Sequence, residues 1–214
     1  PAFMPVGTRG TVKGILPSLV AGTGAQIVLA NTYHMLLRPG SELVARLGGL
    51  HAFTGWHGPI LTDSGGYQAY SMADINSVTD DGVRFKSIVD GSMVDLNPER
   101  AIEVQNQLGA DVIMAFDDCP PSTPSSSSPP AESTDDGAVG AVADPRLTRV
   151  HARDRAADPR AHAKRVKLAN ERTVRWLERC DRAHKAGGRS GEQALFGIVQ
   201  GGIDLEARRW SAER

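Results

Sequence analysis

At 214 residues, 40% hydrophobic and 23% charged, the chain has the ordinary balance of a globular protein able to bury a substantial core. It contains no apolar run of about 18 residues and no basic, apolar leader, so neither a membrane span nor a secretory signal is legible and a cytoplasmic location is the default. Cys119 and Cys180 lie far apart without CxxC pairing, which argues against a disulfide framework or a zinc site within this chain. The net charge of −1 is unevenly spread: residues 146–182 hold twelve Lys/Arg against five Asp/Glu, and residues 1–145 hold seven against sixteen. The basic stretch reads first as a solvated helix surface and second as a phosphate-contacting face.

Taken in order, five short apolar runs each end in polar or glycine-containing turns: residues 2–8, 26–34, 59–66, 111–119 and 194–202. Helical segments fall between them. Ser41 is placed to cap ELVARL before Gly48, and Asn97 followed by Pro98 opens a helix that stops at Gly109. The spacing of Val166, Ala169, Thr173, Leu177 and Cys180, with Trp176 beside them, predicts a long helix from Lys164 to about Ala186, closed by Gly187. Strand and helix in alternation imply an α/β protein with a parallel sheet or barrel.

Two insertions interrupt the repeat. Residues 78–96 alternate around Asp81-Gly82 and Asp90-Gly91, predicting an antiparallel meander that hangs as a flap over the end of the third strand. Residues 120–145 hold six Pro and six Ser with almost no large apolar side chains, which predicts disorder. Residues 146–163 are basic, and Pro159 is expected to break any long helix there. The expected organisation is four strands with the flap (1–119, flap at about 70–96), an insertion (120–163), and a long helix with a fifth strand (164–214).

The residues with chemistry cluster at the ends of the apolar runs: Asn31, Asp63, Asp117, Asp118, Cys119 and Gln200. In a parallel α/β barrel those ends share one mouth, where carboxylates and amides suit a polar, planar substrate and proton transfer. Ile60 to Thr62 lead into Asp63, Ser64, Gly65, Gly66 and Tyr67, where the glycines permit a sharp turn or close approach of a flat ligand and Tyr67 could cover its face. A plainer reading remains open, in which Asp63 and Ser64 cap the helix that follows. Asp118 is equally a site residue or a cap. His34 reads as structural, Trp176 as core, and the other histidines carry no ligand spacing.

FMPVGTRGTVKG (3–14), NTYHMLLRPG (31–40), LTDSGGYQ (61–68), MAFDDCPP (114–121) and LFGIVQGG (195–202), in this order, resemble the tRNA-guanine transglycosylase family, in its bacterial form. Asp118 stands where bacterial members usually have Glu. The resemblance implies a (β/α)8 barrel with a structural zinc subdomain. It also implies a homodimer at full length, and exchange of the wobble guanine in the tRNA anticodon loop for a prequeuosine base through a covalent ribosyl-enzyme intermediate. Asp63 would be the general acid/base. Asp117 and Gln200 would read the guanine edge, Ser64, Gly65 and Gly66 would line the pocket, Tyr67 would stack on the base, and Cys119 would form a pocket wall.

A full barrel of this type takes about 250 residues and eight strands. The five strand candidates therefore suggest a fragment. The nucleophilic aspartate and the Cys-x-Cys-x-x-Cys zinc group of the family have no counterpart before Arg214, and Pro1 begins at the first strand. Two further readings stand beside the transferase: a non-catalytic tRNA- or partner-binding subunit, and a sugar hydrolase using paired carboxylates.

Overall fold

The computed structural model describes residues 3–72, 76–120 and 159–214. Five strands form a parallel sheet: β1 (Val6–Gly7), β2 (Val28–Ala30), β3 (Ile60–Thr62), β7 (Val112–Met114) and β8 (Ala194–Phe196), adjacent in the order in which they occur along the chain. The remaining three, β4 (Asn76–Val78), β5 (Val83–Lys86) and β6 (Met93–Leu96), pair antiparallel in a separate sheet, with turns at Asp81-Gly82 and Asp90-Gly91. Eight helices are described: α1 (Pro17–Gly22), α2 (Thr32–Leu37), α3 (Ser41–Arg46), α4 (Gly49–Thr54), α5 (Gly66–Met72), α6 (Pro98–Leu108), α7 (Pro159–Ala186) and α8 (Leu205–Ala212).

Helix α6 forms where its end signals place it. The Asn97 side chain accepts from the Arg100 N–H, Pro98 takes the first helical position, and Gly109 closes the helix at φ 71°. Its buried Gln105 does more than fill space. The amide oxygen accepts from Thr62 Oγ1 on β3 (3.0 Å) and from the Met114 N–H on β7 (2.9 Å), while the amide nitrogen donates to the Met114 carbonyl (2.9 Å). One side chain thus fixes the ends of two neighbouring strands, the two from which Asp63 and Asp117 emerge.

Helix α7 presents Ala169, Thr173, Trp176 and Cys180 to the interior, the predicted face. Trp176 stacks on Phe116 with ring centroids 4.9 Å apart and donates from Nε1 to the Asp80 carbonyl at 2.8 Å, joining the helix to both the loop after β7 and the antiparallel sheet. Cys180 Sγ accepts from the Phe116 N–H, and burial pushes its thiol up to about 12, so it packs as an apolar group.

Four local expectations are corrected. Ser41 is not the cap of α3, a place taken by Gly40. Its hydroxyl is buried and donates to Gln107 Oε1 (2.6 Å), a tie to α6 that outweighs an exposed cap. Pro159 starts α7 instead of breaking it, because a proline at the first position loses no helical hydrogen bond. The run 26–34 leaves the strand at Ala30 and enters α2 at Thr32, and the run 194–202 leaves it at Phe196. In both, a short parallel strand ends as soon as its neighbour does. The disorder expected over 120–145 falls almost wholly outside the described residues.

Candidate functional site

The loops after β2, β3, β7 and β8 meet on one side of the sheet. Asp63, immediately after β3, directs its carboxylate to the start of α2: Oδ1 accepts from the Thr32 N–H (2.8 Å), and Oδ2 accepts from Gln68 Nε2 (3.0 Å) and Asn31 Nδ2. Thr32 Oγ1 donates to the Asp63 carbonyl at 2.6 Å. The carboxylate therefore takes up an otherwise unpaired N–H at the opening of a neighbouring helix and does not cap its own. Burial raises its proton affinity, and the donors Asn31, Thr32, Gln68 and Gly65 pull against that without reversing it.

Ser64 does two things. Its Oγ accepts from the Gly66 N–H (3.2 Å), a helix-start contact, and donates to Asp117 Oδ1 at 2.7 Å. Asp117, 6% exposed, receives Gln200 Nε2 on its other oxygen at 2.7 Å. Gln200 is itself held by its backbone N–H on Ser211 Oγ of α8 (3.1 Å). Burial raises the proton affinity of Asp117, Ser64 and Gln200 lower it, and the charge of Asp118 raises it again.

The glycines have a definite reason. Gly65 has φ 78°, and a Cβ on Gly66 would lie 2.7 Å from the Asp117 carbonyl oxygen. The turn after β3 and the loop after β7 approach each other at the distance that Gly66 allows. Cys119 is half-buried, and burial followed by the charge of Asp117 pushes its thiol up, so it is no ready thiolate. Tyr67 is 58% exposed at the start of α5. His34 stands edge-on to Tyr33 at 5.2 Å, and burial, then Arg9, lower its proton affinity against the pull of Asp63.

Asp118 is neither a cap nor a free site carboxylate. Its side chain is 2% exposed and bound by Arg165 and Arg172 of α7. Among the described residues of the basic run, Arg172 and Arg175 reach Asp80 (3.0 Å each) and Arg179 reaches Glu99 (2.6 Å), so this part of α7 is ion-paired to neighbouring elements. Thr32, Gln68, Arg165 and Arg172 are the site contacts that the sequence reading missed. Only Gln68, one turn into the helix that Asp63 precedes, had a local cue.

A groove of about 340 Å3 lined by Glu99, Ile102, Glu103, Asn106 and Ala183 lies on the α6–α7 seam, away from this group. The polar cluster brings buried donors and acceptors together on one carboxylate, whereas the groove sets Glu99, Glu103 and Asn106 around apolar Ile102 and Ala183. Among the described residues no set of three or more His, Cys, Asp or Glu is placed to hold a metal ion, so a structural zinc does not fit them. No described helix is long and apolar enough to cross a membrane.

Residues 1–135 and 150–214 match the model of the family described as Queuine tRNA-ribosyltransferase. The chain belongs to the queuine tRNA-ribosyltransferase family. It is 46% identical over 212 residues to the queuine tRNA-ribosyltransferase of Synechococcus elongatus, covering 99% of this chain and 45% of that protein. It is equally similar to proteins of that name from Nostoc sp. (46%, 99% of this chain, 46% of that protein) and Symbiobacterium thermophilum (46%, 100% and 43%). The chain thus spans about half the length of the curated queuine tRNA-ribosyltransferases it matches. All five sequence blocks that carried the resemblance, and Asp63, Asp117 and Gln200 with them, lie inside the matched residues.

Proposed function

We propose that this chain carries the base-reading and proton-handling part of a tRNA-guanine transglycosylase, which exchanges the wobble guanine of a tRNA anticodon for a prequeuosine base by double displacement in queuosine biosynthesis. The supporting observation is the buried pair of Asp117 and Gln200, a charged acceptor beside an amide donor at neighbouring strand ends. A guanine edge presents an N1–H, an exocyclic amine and a carbonyl oxygen. A carboxylate accepts from the first two and an amide N–H donates to the third. Adenine presents the opposite pattern and is refused. In the free chain Ser64 and Gln200 occupy the Asp117 oxygens, so base entry exchanges those partners for the base itself.

Asp63 manages the proton on the leaving or entering base. Its carboxylate is held by donors on both sides, and its raised proton affinity brings it nearer the range in which it can both take and return a proton. Tyr67 lies exposed at the head of α5, available to stack on a base drawn out of its RNA strand. Gly65 and Gly66 form the wall between the two aspartates, and Cys119 lines it. The parallel strands, adjacent in chain order, form one side of a (β/α)8 barrel with the antiparallel sheet as its flap. The protein that contains this segment is a cytoplasmic homodimer with a structural zinc held elsewhere than in the described residues.

The test is incubation of that protein with tRNA lacking the modified base and radiolabelled guanine. Incorporation into tRNA is expected. Binding of tRNA with no incorporation at any pH would overturn the transferase in favour of a non-catalytic subunit, and release of free sugar without incorporation would favour a hydrolase.

A further inference from the structure

Asp117 and Asp118 are consecutive, and both are buried, at 6% and 3% exposure. Two charged carboxylates this close oppose each other's ionisation. Helix α7 answers one of them. Arg165 Nη1 donates to Asp118 Oδ2 at 2.8 Å and its Nη2 to Oδ1, while Arg172 Nη1 donates to the same Oδ2. The Asp118 N–H donates to Thr173 Oγ1 (3.1 Å), and Arg172 continues from Nε to Asp80 on the antiparallel sheet (3.0 Å). A buried ion cluster adds little net stability over an apolar replacement of similar size. Its consequence therefore lies in what its charge does next door.

Resting on the reading that Asp117 accepts from a base edge, we propose that Arg165 and Arg172 are positioning residues for base recognition: by binding Asp118 they cancel the negative charge beside Asp117 and keep Asp117 an acceptor at neutral pH. A protonated Asp117 presents an O–H where a guanine edge also presents N–H groups, and that pairing fails. The direction of the effect agrees with the geometry, since the charge of Asp118 raises the proton affinity of Asp117 on top of burial. The titratable and charged groups around Asp117 are Asp118 and Cys119 on its own loop, Asp63 beside Ser64 on the loop it faces, and Arg165 and Arg172 on α7. Gln200 and Ser64, the groups that touch it, are neutral.

The test is a carbon-13 carboxyl titration of Asp117 in the full chain, its resonance assigned by Asp117→Asn. Arg165→Gln with Arg172→Gln should move the Asp117 midpoint up by about one pH unit. Adding Asp118→Asn to that pair should bring it back. Asp118→Asn alone, which leaves both arginines in place, should move the midpoint down and decides the matter if the double glutamine variant does not fold. An unmoved midpoint in Asp118→Asn, or an upward shift that survives the triple substitution, would overturn the proposal. In the exchange assay the double glutamine variant should raise KM for guanine increasingly as pH falls, with kcat little changed. Wild-type protein that incorporates no guanine would sink the proposed function and leave the titration result standing, so the two failures are distinguishable.

Discussion

Gln200 Nε2 donates to Asp117 Oδ2 at 2.7 Å across 83 positions of sequence, and Ser64 holds the other oxygen of the same carboxylate at 2.7 Å. The arrangement is a donor and an acceptor set side by side, already in contact before any base arrives. What each substitution does follows from who is left without a partner.

Asp117→Asn keeps the size and replaces one acceptor oxygen by a donor. Facing the amine of guanine, that nitrogen costs base binding about 1–3 kcal/mol, the penalty of an unpaired buried donor. Competition between guanine and an analogue lacking the exocyclic amine reads this directly. The wild type should prefer guanine and the variant should lose or reverse the preference; equal discrimination by both would remove Asp117 from edge reading.

The same substitution should stabilise the fold at neutral pH. The folded-state proton affinity of Asp117 is raised, so the folded chain holds that proton more tightly than the unfolded one. This contribution is present below the ordinary carboxylate pKa and is lost as pH rises through the folded value. The substituted amide carries no charge to bury, and the Gln200 amide can turn its oxygen to the new donor. Urea midpoints compared at pH 3 and pH 7 should show the advantage of the variant only at pH 7; an equal difference at both would contradict the argument. Gain of stability with loss of recognition is the trade expected at a binding carboxylate.

For Asp63→Asn the expected outcome is loss of base exchange with the fold retained. With the Thr32 N–H kept on the remaining oxygen, the new amide nitrogen replaces Oδ2 and faces both Asn31 Nδ2 and Gln68 Nε2, so both side-chain amides must turn their oxygens toward it, at a cost of about 1 kcal/mol each. Circular dichroism and thermal melting check the fold, and guanine incorporation checks the chemistry. Normal turnover would exclude Asp63 as the proton carrier.

Gly66→Ala sets a methyl 2.7 Å from the Asp117 carbonyl oxygen, which is backbone and cannot swing aside. The loops after β3 and β7 must separate, costing roughly 1–3 kcal/mol by overpacking. Guanine affinity should fall with it, because Ser64 and Asp117 move apart. A variant with wild-type melting temperature and affinity would show that the approach of these loops is not required.

By itself the sequence determined what neighbours along the chain determine. Asn97, Pro98 and Gly109 bound α6, the Asp-Gly pairs turn the antiparallel sheet, the apolar spacing on α7 chooses its buried face, and five ordered blocks suffice to mark the family. Such signals are legible because capping, backbone freedom and periodicity act over a turn or two of chain. Only the tertiary structure decided where each polar group points. Asp63 accepts from the start of α2, Gly66 is small because the Asp117 carbonyl lies against it, and Asp118 is bound by arginines that read in sequence as a solvated basic run. These contacts join residues 31 to 54 positions apart. Nothing local encodes them, since they come into being only when parallel strands stack side by side and bring their end loops within hydrogen-bonding distance.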